Sequence, residues 1–205
     1  MQIRWKKRAA RLISNIFNPF LISLVVIILL SFTSASSVRA SITWLLISIT
    51  LSILPVFVVV VCLVRNHRLE GIFIRARKQR NKIYLLASIC AAVNCGVLYW
   101  LGAPKVLVAS FVAGLLAIVI FMCINLWWKI SVHTAFVTAS ITVLIILYGA
   151  IGLLSAVLLP VMAWSRIELE RHSPAQVAVG ALMAALIVVV VFYLFGIVVP
   201  TVFHV

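Results

Sequence analysis

Two histidines stand out in an otherwise apolar chain because each lies beside other polar groups. His133 ends the segment Lys129-Ile130-Ser131-Val132-His133, and His172 ends Ser165-Arg166-Ile167-Glu168-Leu169-Glu170-Arg171-His172. A third polar island, Arg75-Ala76-Arg77-Lys78-Gln79-Arg80-Asn81-Lys82, is dense in cations. Only 3 acidic residues accompany 17 lysines and arginines, too few carboxylates for a metal centre built on them. Paired imidazoles with several arginines suit metal-free phosphoryl transfer better than any other reaction class. Guanidinium forks neutralise the phosphoryl oxygens, one imidazole attacks phosphorus, and another protonates the leaving oxygen. Cys62, Cys90, Cys95 and Cys123 lack metal-ligand spacing and sit in apolar runs, where they read as small hydrophobic side chains. The expectation is an enzyme with no metal and no cofactor.

These residues resemble, in order, the signatures of the type 2 phosphatidic acid phosphatase superfamily, and within it the small bacterial membrane members. Ser165-Arg166, five residues and then His172 matches the third motif, Ser-Arg-x5-His. Ile130-Ser131-Val132-His133 is similar to the second, usually Pro-Ser-Gly-His. Arg77 and Arg80 match the basic first motif loosely, with Arg75 and Lys82 as an alternative pair. The likeness also takes in Arg11-Leu12-Ile13 to Asn18-Pro19 and the stretch from Trp128-Lys129 onward, so it covers nearly the whole chain.

The resemblance implies that His172 is a nucleophile forming a phosphohistidine, that His133 is the general acid, and that Arg166 is catalytic. It also implies that Arg77, Arg80, Ser131 and Gln176 line the substrate. Phosphatidic acid, phosphatidylglycerol phosphate or an isoprenyl diphosphate such as undecaprenyl diphosphate would be hydrolysed. Two positions depart from the family pattern. Val132 adds a side chain where the family has glycine, and Gln176 puts a neutral amide where the family has an aspartate to orient the nucleophile. If those changes remove turnover, the alternative is a lipid-phosphate binder or carrier.

Composition fixes the solvent in which such a site must be built. Of 205 residues, 66% are apolar and 10% charged, a balance that leaves a water-soluble domain without a surface. The net charge of +14 is confined to a few short segments, so membrane lipids rather than nucleic acid are the expected partners. Runs long enough to span a bilayer fall at about 16–34, 41–64, 83–101, 106–127 and 174–200. His133 to Trp164 is long enough for two short helices broken near Tyr148-Gly149 and Gly152.

The expected architecture is an all-α, polytopic transmembrane bundle of seven spans, or six, forming one membrane domain over 1–205, with a basic segment at 1–15 and the bundle over 16–205. Arg4-Trp5-Lys6-Lys7-Arg8 before an apolar run reads as a retained anchor rather than a cleaved signal. Ser34–Ser37, Gly102-Ala103-Pro104 and the polar segment from Ser165 to Ser173 are the expected breaks. Ser173, Pro174 and Gln176 carry the N-cap, N1 and N3 chemistry of a helix start.

With seven spans, every lysine and arginine except Arg39 and Lys105 falls on one face, including all three polar islands. The positive-inside rule makes that face cytoplasmic in a bacterial cytoplasmic membrane. The family resemblance implies instead an outward-facing site.

Overall fold

The computed structural model describes residues 2–67 and 77–197, and every regular element among them is helical. In chain order these are α1 (Gln2–Ile16), α2 (Pro19–Ser34), α3 (Val38–Ser48), a π turn (Ile49–Ile53), α4 (Leu54–Arg65), α5 (Arg77–Trp100), α6 (Lys105–Ile124), α7 (Val132–Tyr148), α8 (Ala150–Leu153), a 3-10 turn (Leu154–Val157), α9 (Leu158–Glu168) and α10 (Pro174–Leu194). Arg68, Arg75 and His204 lie outside the described residues.

Local chemistry explains most of the helix ends. The Asn18 side chain accepts from the Leu21 N–H at 3.0 Å, and Pro19 then occupies the first helical position of α2. Ser37 caps α3 by accepting from Ala40. After α5, Gly102 takes φ +72, the Ala103 N–H returns to the Leu98 carbonyl, and Pro104 prevents continuation. Pro55 explains the π turn, because it has no N–H to give the carbonyl four residues earlier and its ring crowds that carbonyl. The chain leaves α7 through Gly149 at φ +55, and α8 folds back so closely that a Cβ on Gly152 would run into the Leu144 carbonyl.

Two elements go beyond the sequence reading. The basic segment is a helix, α1, meeting α2 at a 42° bend. The stretch from Ser165 to Ser173 is only half a turn, since α9 continues through Glu168. Its reversal uses Glu170 at φ +53, with the Glu170 N–H on the Ile167 carbonyl at 2.8 Å and the Arg171 N–H on the Arg166 carbonyl at 3.1 Å. That is the hydrogen-bond pattern with which glycine usually ends a helix, here carried by a glutamate.

The helices form two compact units. One holds the chain up to Ser23 and from Ile130 onward, with α10 packed on α7, α1 on α9, and a core of Val137, Ile141 and Met162 backed by Phe17, Ile22, Ile145 and Leu159. The other covers Leu24–Lys129, where α5 packs on α6, α3, the π turn and α4.

Five helical stretches are long and apolar enough to cross a membrane, or six if the bent pair of α1 and α2 counts as one; α7, at 17 residues, is shorter. Helix α10 buries Val177, Gly180, Ala184, Ile187 and Val191 while exposing Leu182, Leu186, Val189 and Tyr193. A helix apolar on both its packed and its outer face has hydrocarbon as its solvent. Several hydroxyls bond to carbonyls one turn back in their own helices, as Thr138 on the Thr134 carbonyl and Ser110 on the Val106 carbonyl. The chain is an integral membrane helical bundle.

Candidate active site

The spacing of Arg166 and His172 is the spacing of one helix-to-helix connection. Arg166 lies on the last turn of α9, the turn at Glu170 reverses the chain, and His172 immediately precedes Ser173, the N-cap of α10. A cation on the last turn of one helix and a site for an anion at the start of the next both follow the helix dipoles.

Gln176 has two tasks in this connection. Its side-chain oxygen accepts from the Ser173 N–H at 3.3 Å, while the Ser173 hydroxyl accepts from the Gln176 N–H at 3.3 Å, a reciprocal capping box. The same oxygen lies 3.1 Å from His172 Nδ1. Because a backbone donor also converges on it, this atom is the amide oxygen, so Nδ1 must carry the proton. In the neutral ring that arrangement leaves the lone pair on Nε2, the nitrogen that would attack a phosphoryl group. The neutral amide supplies orientation without charge.

The second motif lies against this connection. The Ser131 N–H donates to the Gln176 carbonyl at 3.3 Å, and a Cβ on Gly180, one turn along α10, would stand 3.0 Å from the Ser131 carbonyl. His133 is buried on the first turn of α7. Ser131, expected to face phosphate, is fully buried, with its hydroxyl bonded to Thr134 at 2.7 Å. Its backbone and its side chain are thus both engaged in holding the start of α7.

Arg166 is buried and donates through Nη1 to the Ser14 hydroxyl at 2.6 Å. Its neighbour Ser165 donates to the Ala10 carbonyl at 2.7 Å. Lys7 donates to Glu170 at 2.9 Å, and this bond together with the lysine charge holds the Glu170 carboxyl below its ordinary pKa. Helix α1 is therefore fastened to α9 and its terminal turn at three successive points, none of which the sequence reading assigned to the site. The available signal was the spacing of Ala10 and Ser14, one helical turn apart.

No protein-family model, curated protein or solved structure matches this chain.

The expected basic motif belongs to the unit that holds α5. Arg77 begins that helix, and Arg80, three residues on, is buried, bonded to the Tyr84 hydroxyl and stacked 5.4 Å from its ring centre. Asn81 accepts from Asn125 at 2.6 Å, which joins the start of α5 to the end of α6. Within one unit Ser131 and His172 both meet Gln176, while Arg166 sits on the last turn of α9 and His133 on the first turn of α7. Among the described residues no three His, Cys, Asp or Glu side chains form a metal-ligand group.

Proposed function

We propose that this protein is a membrane lipid-phosphate phosphohydrolase of the type 2 phosphatidic acid phosphatase kind, acting through a phosphohistidine. His172 Nε2 attacks phosphorus and the bond from phosphorus to the lipid oxygen breaks. His133 gives its proton to that oxygen. Water, deprotonated by His133, then displaces phosphate from His172 and restores both groups. Arg166 holds the phosphoryl oxygens whose charge is redistributed during transfer. Ser131 holds α7 in place against α10.

The observation that carries this reading is the bond from His172 Nδ1 to Gln176, beside an α7 start that is itself bonded to Gln176. A structural helix cap needs the Ser173 half of that arrangement but has no use for an imidazole in a defined tautomer. Phosphatidic acid, phosphatidylglycerol phosphate and isoprenyl diphosphates are the substrate class, since each joins a phosphoryl group to a chain that lipid-facing helices can accommodate.

The same reading takes all seven apolar segments across a bacterial cytoplasmic membrane. Labelling of Ser36→Cys and Gln79→Cys in intact cells by an impermeant reagent tests it, and modification at position 79 would contradict a cytoplasmic face for the basic islands.

The direct test of function is phosphate release from short-chain phosphatidic acid and an isoprenyl diphosphate, in detergent with a chelator. Release by the unaltered protein and none by His172→Ala is expected. Binding without release would make the protein a carrier.

A further inference from the structure

Helix α1 presents three distinct strips. Ala10 and Ser14 are buried against α9, where they meet Ser165 and Arg166. Trp5, Leu12 and Ile16 form a second strip, 57%, 61% and 50% exposed. Arg4, Arg8 and Arg11 form a third, also exposed. The outward side of α1 thus carries an apolar strip and a cationic strip next to each other. Bulk water favours only the second and hydrocarbon only the first, whereas a bilayer surface accommodates both at once.

The charge balance decides what kind of surface. The described carboxylates are Glu168 and Glu170, and Glu170 is engaged by Lys7. The cationic strip therefore faces outward with almost no internal counter-charge, and its like charges at helical spacing disfavour α1 until anions neutralise them.

We infer that α1 binds an anionic lipid surface, with Trp5, Leu12 and Ile16 at the acyl boundary and Arg4, Arg8 and Arg11 on headgroup phosphates, and that this binding sets the position of Arg166 through Ser14. Lipids here act as a surface distinct from the substrate. The coupling rests on the reading of Arg166 as a phosphate-holding residue, whereas the surface binding does not. Ser14 is a positioning residue: it touches no substrate, but the guanidinium it holds does.

The experiment uses the full chain in nanodiscs of phosphatidylcholine with or without phosphatidylglycerol, a diester outside the proposed substrate class. Hydrogen exchange is read over α1, and KM and kcat are read with short-chain phosphatidic acid. Three arginines at an anionic surface are expected to slow exchange in α1 on the order of a hundredfold. KM should fall with phosphatidylglycerol while kcat stays nearly constant. A combined Arg4→Gln, Arg8→Gln and Arg11→Gln variant should lose both responses. Ser14→Ala should keep the exchange response but lose the KM response.

Unchanged exchange on adding phosphatidylglycerol would overturn the inference. Slowed exchange with an unresponsive KM would overturn the coupling. If exchange slows but no nanodisc supports phosphate release, the phosphatase reading fails and the lipid-binding helix stands.

Discussion

Gln176 offers the sharpest perturbation, because one oxygen serves both helix α10 and the imidazole of His172. Gln176→Glu preserves length and both acceptor contacts while adding a negative charge 3.1 Å from Nδ1. A hydrogen bond to a charged group contributes about 1.5–3 kcal/mol against about 0.5–1.5 for a neutral one, so the gain is roughly 1.4 kcal/mol. That energy should appear twice. The carboxylate favours the imidazolium of the free enzyme, moving the acidic limb of kcat/KM up by about one pH unit. It also favours the cationic character His172 acquires as phosphorus bonds to it, raising kcat on the basic side by about tenfold. Gln176→Ala removes the orienting bond and should lower kcat by up to about tenfold, while the Ser173 hydroxyl still caps α10. Phosphate release followed across pH in detergent measures all of this. If Gln176→Glu leaves both the acidic limb and kcat unchanged, Gln176 is a helix cap alone and His172 is not the group whose protonation governs the rate.

Three further perturbations probe the frame around this site. Ser14→Ala should lower stability to thermal unfolding by about 1–3 kcal/mol, since it takes an acceptor away from a buried guanidinium, and Ser14→Thr should restore most of the loss. Gly180→Ala sets a Cβ 3.0 Å from the Ser131 carbonyl and should cost about 1–3 kcal/mol and lower phosphate release, because the start of α7 must move. The Glu170 carboxyl is held below its ordinary value of 4.5, so the stabilisation from its pair with Lys7 is fully present above pH 4.5 and lost as pH falls through the lowered value. Hydrogen exchange over α1 should accelerate in that acid window, whereas Glu170→Gln should show no such step.

What the sequence made legible follows from how local each cause is. The start of α10 is written in Ser173, Pro174 and Gln176, and the ends of α5 and α7 in Gly102 and Gly149, because each of these residues acts on backbone within one turn of itself. The lipid-facing runs were visible for a similar reason, since spanning hydrocarbon demands composition before it demands packing. The end of α9 was hidden because a glutamate occupies the left-handed position where glycine would have announced it. Helix α1 was legible too, since its apolar and basic residues alternate at helical spacing, a periodicity that counting the segment's charges alone passes over.

In the site, the pairing of His172 with Gln176 could be foreseen from a spacing of four residues. The hold of Ser14 on Arg166, across 152 residues of chain, could not, because it exists only once α1 packs on α9. Ser131 was singled out by its motif position alone, and its bonds to Thr134 and to the Gln176 carbonyl depend on a fold that position does not spell out.

The central claim is that His172 forms a covalent bond to phosphorus. Acid quenching of the protein during turnover of phosphatidic acid labelled in its phosphate, followed by peptide mapping, tests this most directly. The account predicts label that is stable to base and labile to acid, located on His172, increased when His133→Asn slows hydrolysis of the intermediate, and absent from His172→Ala. Phosphate release by the unaltered protein with no label on His172, or undiminished release by His172→Ala, would contradict it.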